Sequence, residues 1–355
     1  MRHNVLALFR WIHSRKEIFV LHFVLFLIQF TNALHIVCMR YATVYIHPFA
    51  YAMLRIMMAV PILFAFSYRP GQPKIMPKGR TWLWIIALSM FGVVFNQVLV
   101  VSAMRFSTAT TAVILLPTIP TVTLTVGLIF RQESFAWTKV LAIVLSFIGV
   151  IALSGFDRLA QFSDSRVLIG STLLVLNFAS FAIYLVLQKL ALQRFPNGLV
   201  LTSWTMLTGG IVILVAGTTS ILTGLVELRW DVPPLGWICV TFSGVAGTGL
   251  IYMGTTYALK RTSVSMTSGY SSVQAIVGTM LAWSILGERI EWMQAIGAPF
   301  ILGGLILSVR EQYLKEKMGD TTQYKSLKGD HTETTNGNVI EESVEMVRIE
   351  NEEVR

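Results

Sequence analysis

Apolar residues in this chain do not alternate with polar ones. They run for about twenty residues at a time and are separated by short polar turns. A helix rises about 1.5 Å per residue, so roughly 20 apolar residues cross the ~30 Å hydrocarbon core of a bilayer. Ten segments have this character: 18–38, 47–67, 82–103, 108–130, 138–155, 167–188, 199–223, 235–257, 265–286 and 293–309. Arg69-Pro70-Gly71 through Arg80, Asp157 to Arg166, and Asp231 to Pro234 punctuate them, and the link at 104–107 is short enough to force antiparallel neighbours. The first run has spanning length and no small-residue cleavage site, so it reads as a retained helix rather than a removed leader.

Composition agrees with lipid as the solvent. The chain is 54% hydrophobic and 13% charged, about half the charge density of a soluble domain. Its net charge of +9 is spread between apolar runs, which makes it a topology signal and not a nucleic-acid patch. With a cytoplasmic N-terminus, seventeen flanking Lys and Arg residues fall on the cytoplasmic side and six opposite. That bias predicts ten spans with both termini inside, in the plasma membrane or an endomembrane. Two cysteines, Cys38 and Cys239, make neither a disulfide framework nor a metal motif, and no cofactor or metal site is expected.

The chain divides into a basic N-terminus (1–17), a first five-span unit (18–155), a linker (156–166), a second five-span unit (167–309) and a tail (310–355). From Asp320 onward the tail has nine acidic and four basic residues and cannot build a core, so it reads as disordered. Tyr324-Lys-Ser-Leu327 has the form of a tyrosine-based sorting signal, which a trafficking adaptor would read. The bland alternative is a solvated tail.

A shift of 155 residues superposes the two units. Ala103-Met104-Arg105 meets Ala258-Leu259-Lys260, and Ser107-Thr108 meets Thr262-Ser263. Glu133 falls on Glu288, Trp137 on Trp292, Gly92 on Gly247 and Gly149 on Gly304. Apolar composition alone would align Leu with Ile, not Glu, Trp and Gly in one register. Five spans per unit is odd, so the second unit must be inverted, an architecture of secondary transporters.

A proline-bearing span, then Phe130-Arg131-Gln132-Glu133, then a glycine-punctuated span resembles the EamA unit of the drug/metabolite transporter superfamily. The second copy, Leu286-Gly287-Glu288-Arg289 followed by Gly303-Gly304, resembles it more closely. Ala103–Thr111, Leu128–Glu133 and Gln188–Ser203 with its Arg194-Phe195-Pro196 are similar to the plant "walls are thin"/nodulin-like branch. Leu115-Leu116-Pro117 departs from that branch, which has Asn ahead of the proline. The resemblance implies an all-α fold of ten transmembrane helices in two inverted five-helix EamA-like repeats. It also implies transport of small metabolites: amino acids, nucleosides, nucleotide sugars, sugar phosphates, vitamins or drugs.

All 19 acidic residues lie outside the ten segments. Many proton- or sodium-driven carriers use an intramembrane carboxylate, so facilitated diffusion or exchange is the simpler mechanism. His35 is the remaining candidate for proton coupling, against a structural role. Arg55 lies two turns inside the second segment. A charge there must face a cavity or a partner, and could hold a carboxylate or phosphate bidentately. Polar stripes supply further substrate-binding candidates: Asn32, Asn96 and Gln97, Asn177 and Tyr184, Trp204, Tyr252, and Ser271 and Gln274. The alternative for each is helix–helix packing. Pro117 and Pro120 would bend the fourth span and mark a gate hinge there, while the other half carries Ser272 and Ala275 at the same positions. Glu133 and Glu288 would cap the helices that follow or pair with Arg131 and Arg289.

These features favour a secondary transporter for small organic, amino-acid-like, anionic or zwitterionic solutes. A receptor or sensor on a transporter fold, and a nucleotide-sugar or sugar-phosphate exchanger of an internal membrane, are the alternatives. No catalytic constellation is present in the sequence.

Overall fold

The computed structural model describes residues 2–69, 76–103, 106, 112, 115–154, 165–195, 197–224, 231–286, 296–311 and 314, with backbone only for 2–16. Among them there is helix and no strand. In chain order the helices are α1 (Arg2–Ala42), α2 (Pro48–Ser67), α3 (Thr81–Ser89), α4 (Asn96–Ala103), α5 (Thr118–Ile129), α6 (Trp137–Ser154), α7 (Ser165–Arg194), α8 (Gly198–Leu222), α9 (Pro234–Gly244), α10 (Ile251–Arg261), α11 (Val264–Gly269), α12 (Ser271–Leu286) and α13 (296–311). π-helical segments join α3 to α4 (Met90–Phe95) and α9 to α10 (Val245–Leu250). Residues 1–309 form one compact unit and 310–355 a second. The sorting-like Tyr324–Leu327 segment and most of the 156–166 linker lie outside the described residues.

Helix occupies each of the ten predicted segments, wholly or in part. Among the described residues six helical stretches are long and apolar enough to cross a membrane: Glu17–Ala42, Pro48–Ser67, Thr81–Val100, Leu168–Arg194, Gly198–Leu222 and Pro234–Arg261. Thr118–Ile129 and Trp137–Ala152 are shorter apolar helices. Three boundaries differ from the sequence reading. The first helix extends back to Arg2, because no Pro or Gly interrupts residues 2–46. The helix starting at Ser165 runs on to Arg194 and stops before Pro196. The fourth segment is helical from Thr118, with Pro117 capping it and Pro120 in its first turn, where a missing N–H costs little. Both prolines are buried at a helix start rather than bending a continuous span. The ninth segment is also broken, at Tyr270, with no proline. Its break at Tyr270 corresponds to Leu115 under the 155-residue shift, next to the Leu116-Pro117 break of the first half.

The most extensive helix pairings join the two sequence halves. They are α2 with α8, α1 with α12, α5 with α7, α4 with α7, and α1 with α9. The repeat exchanges them. α1 against α12 and α10 corresponds, under the 155-residue shift, to α7 against α5 and α4. Close glycine contacts obey the same exchange. A Cβ on Gly149 would lie 2.7 Å from the Gly297 carbonyl oxygen and from Ile301, and one on Gly304 would lie 2.6 Å from the Ala142 carbonyl oxygen and 2.8 Å from Ser146. A 155-residue shift converts each set into the other, and the register of the contacts runs α6 and α13 antiparallel. These contacts put backbone against backbone, so only a residue without Cβ fits.

Gly304→Ala is therefore expected to destabilise the folded protein by about 1–3 kcal/mol through overpacking. Gly303→Ala, with no described atom within 4 Å, should be near neutral. Thermal unfolding of the two variants in detergent checks the contrast.

Candidate functional site

The centre of the site is a charge inside an apolar helix. Arg55, on α2, is 9% exposed, and His35, on α1, is 7% exposed. Arg55 Nη1 donates to His35 Nε2 at 2.7 Å. Arginine offers only donors, so His35 Nε2 accepts, and the ring is neutral with its proton on Nδ1. That Nδ1 has no hydrogen-bond acceptor, and neither does Arg55 Nε. An orphaned buried donor costs about 1–3 kcal/mol. The pair thus holds two donors for which the described residues supply no acceptor.

Neighbouring groups fix the pair. Tyr51, one helical turn before Arg55, stacks on His35 with ring centroids 6.4 Å apart and an interplanar angle of 13°. Its hydroxyl donates to Ser243 Oγ at 2.6 Å. Gly247 lets the π-segment approach: a Cβ there would lie 2.8 Å from His35 Cγ and Nδ1. Gly244 does the same against α2, 3.0 Å from the Arg55 carbonyl oxygen.

The second π-segment stands in the matching relation to the other half. Gly92 packs on the Tyr184 ring, where a Cβ would come within 2.8 Å of three ring carbons. Ser89 donates to the Thr205 carbonyl at 2.8 Å, as Gly244 abuts that of Arg55. Gly92 and Ser89 thus meet the first and second helices of the second half as Gly247 and Gly244 meet those of the first. A π-turn frees carbonyls from the helical ladder, and here side chains take them. Ser180 Oγ donates to Phe91 O at 2.8 Å, the Tyr252 hydroxyl to Gly92 O at 2.6 Å, and Asn177 Nδ2 to Asn96 O at 2.5 Å. Tyr252 and Tyr184 have ring centroids 5.6 Å apart, and Tyr252 lies within electrostatic reach of Arg55. The Tyr184 hydroxyl is buried without a partner.

The structure therefore gathers Arg55, His35, Tyr252, Tyr184, Asn177 and the backbone of Asn96 around the two π-segments. Asn32 is half-buried one turn before His35, and Gln97 is buried on α4. Trp204 stands apart. Its indole N–H donates to the Tyr68 hydroxyl at 3.0 Å, and its ring meets Phe64 and Trp82 edge-on. That is an aromatic packing cluster at the C-terminal end of α2, about 14–20 Å along the helix from Arg55 at the usual rise. Ser271 Oγ donates to Ser268 O at 2.7 Å inside the break of the ninth segment, and Gln274 is half-buried on α12. His22 Nδ1 lies 2.7 Å from the Tyr270 hydroxyl at that break.

Sequence reasoning missed Tyr51 and Ser243. Tyr51 at i−4 from Arg55 was the available signal. It also paired Glu133 with the wrong cation. Arg131 adopts φ 55°, which turns the chain so that the Gln132 and Glu133 N–H groups reach Gly127 O at 2.8 and 3.2 Å. The carboxylate then meets Lys139 Nζ at 2.5 Å and accepts from Ser265 N–H, the start of α11, at 2.9 Å. A turn at the end of α5 in the first half is thereby tied to a helix start in the second. Glu288 and Arg289 lie outside the described residues.

The geometry is that of a multi-pass membrane protein whose polar centre lies between two like halves. The family model of EamA-like transporters matches twice, over residues 20–155 and 168–310. The chain belongs to the EamA-like transporter family. An uncharacterized transporter of Archaeoglobus fulgidus is 25% identical over 271 residues, 75% of this chain and 89% of that protein. A WAT1-related protein of Arabidopsis thaliana is 26% identical over 233 residues, 58% of this chain and 67% of that protein. One crystal structure shares the fold with a TM-score of 0.66 at 17% identity, over 84% of this chain and 98% of that one.

The Glu133–Lys139 pair is buried, with side chains 4% and 10% exposed. Glu133→Ala leaves a buried cation and takes the acceptor from the Ser265 N–H, so a loss of about 3–5 kcal/mol is expected. The double variant with Lys139→Met should recover part of it in a thermal-unfolding cycle.

Proposed function

We propose that the chain is a secondary transporter that carries small anionic or zwitterionic organic solutes by alternating access, as a facilitator or exchanger. In this reading two inverted five-helix repeats cross the membrane ten times, with both termini cytoplasmic. The exchanged contacts and the antiparallel run of α6 against α13 support the inversion, because a two-fold axis in the membrane plane relates such halves.

The Arg55–His35 pair carries the solute class. A carboxylate or phosphate oxygen would supply the acceptor that Arg55 Nε and His35 Nδ1 lack, with the strength of a charge-assisted bond. Tyr252 and Tyr184 would offer ring faces and a hydroxyl beside it. Gln274 and Gly278, on the half-buried stripe of α12, would line the approach. The absence of Asp and Glu from the ten segments favours facilitation or exchange. Protonating His35 would remove the acceptor of Arg55 and set two cations side by side, so a proton and Arg55 compete for the ring if coupling occurs. The breaks at Leu116-Pro117 and Tyr270, one in each half, would act as a matched pair of hinges.

The test is a thermal-shift screen of purified protein against amino acids, organic acids, sugar phosphates, nucleosides and neutral sugars, run on wild type and Arg55→Ala. An anionic or zwitterionic solute at a hundred times its Kd should stabilise wild type by about 2.7 kcal/mol. The variant should show no shift, and counterflow of the same solute in liposomes should vanish with it. A neutral solute that stabilises both proteins equally would contradict the assignment.

A further inference from the structure

The sequence has two cysteines, and the fold brings them together from opposite halves. Cys38 is near the C-terminal end of α1, and Cys239 is in the second turn of α9. α1 packs along α9, and both cysteines belong to one apolar cluster with Ala42, Ile46, Tyr51 and Val240. Cys38 packs against the buried cluster that contains Cys239. Neither is in a disulfide; Cys239 is buried and Cys38 is partly exposed. A buried thiol is ordinarily an apolar filler. Here the chain's two cysteines pack together across the interface between its halves, near the end of the first membrane-spanning helix.

The Lys and Arg distribution assigns the end of α1 and the start of α9 to the non-cytoplasmic side, where thiols meet oxidising surroundings. We propose that Cys38 and Cys239 are a disulfide-forming pair that staples the first half to the second at this end of the bundle; the compartment, though not the pairing, rests on the orientation proposed above. The reaction is thiol–disulfide exchange with a small disulfide such as oxidised glutathione. The Cys38 thiolate attacks one sulfur, forms a mixed disulfide and releases one reduced thiol. The Cys239 thiolate then attacks the Cys38 sulfur and releases the second. Two protein thiols are oxidised to one disulfide, one glutathione disulfide is reduced to two thiols, and the two protons leave with them. The product closes a loop spanning most of the bundle, which removes conformations from the unfolded chain and stabilises the fold. It also prevents the ends of α1 and α9 from separating.

The full chain, purified in detergent, is reduced or treated with oxidised glutathione, denatured and labelled with a polyethylene-glycol maleimide. Reduced protein should carry two labels. Oxidised protein should carry none, on the monomer band and with an intact mass free of glutathione adduct. Its unfolding midpoint should rise on oxidation, and the rise should be lost in both Cys38→Ser and Cys239→Ser. Two labels persisting after oxidation, or label loss through glutathione adducts or cross-linked dimers, would overturn the pairing. In oriented vesicles, reduction of the disulfide by a membrane-impermeant reductant from the non-cytoplasmic side supports the compartment. Reduction only from the cytoplasmic side overturns the orientation and leaves the pairing standing.

Discussion

Hydrocarbon offers no hydrogen bonds, so every polar atom inside this bundle must be satisfied by the protein or by something the protein binds. The constraint explains most of the interior. The π-segments free carbonyls, and Ser180, Tyr252 and Asn177 take them. Gln188, deep between α7, α8 and α10, donates to the hydroxyls of Thr202 and Thr256. Lys189 closes the C-terminal end of α10 through Leu259 O and Thr262 O. Arg55 breaks the rule, since its described partner is a neutral histidine and it keeps a spare donor. Other buried side-chain atoms, Gln188 Oε1 and the Tyr184 hydroxyl among them, also lack a described partner, and Arg55 adds a charged donor at the inter-half centre, which is the feature the proposed solute would complete.

The same constraint makes the halves interdependent. Each π-segment is seated on the first helix of the other half, with Gly92 on Tyr184 and Gly247 on His35. Movement of one half's third span therefore carries the other half's first-span aromatic residue with it. Because the arrangement is repeated, a rearrangement available at one face of the bundle has a counterpart at the other. In the proposed alternating-access cycle this repetition would couple the two faces.

Much of this was legible in the sequence. Apolar run length located the helices, since only length and hydropathy decide whether a segment can lie in lipid. The 155-residue register was legible because Gly92 and Gly247, and Gly149 and Gly304, sit where backbones touch and no other residue fits. Arg55 was legible as a charge where none is affordable. What escaped depended on three-dimensional neighbours. Trp204 reads as a stacking surface until Tyr68, Phe64 and Trp82 are found around it. Glu133 reads as a partner for the adjacent Arg131, but the positive φ at Arg131 sends the carboxylate to Lys139 and Ser265 instead. The helix break at Tyr270 carries no proline to announce it.

The central claim is that the two halves are inverted copies meeting at Arg55 and His35. The turn between α2 and α3 and the turn between α8 and α9 are equivalent in the repeat and should lie on opposite faces of the membrane. The direct measurement places a single cysteine at Lys78 or at Asp231 in a background with Cys38→Ser and Cys239→Ser, and labels sealed vesicles of known orientation with a membrane-impermeant maleimide. The account predicts labelling of Lys78→Cys from the cytoplasmic side and of Asp231→Cys from the opposite side. Labelling of both positions from the same side would contradict it.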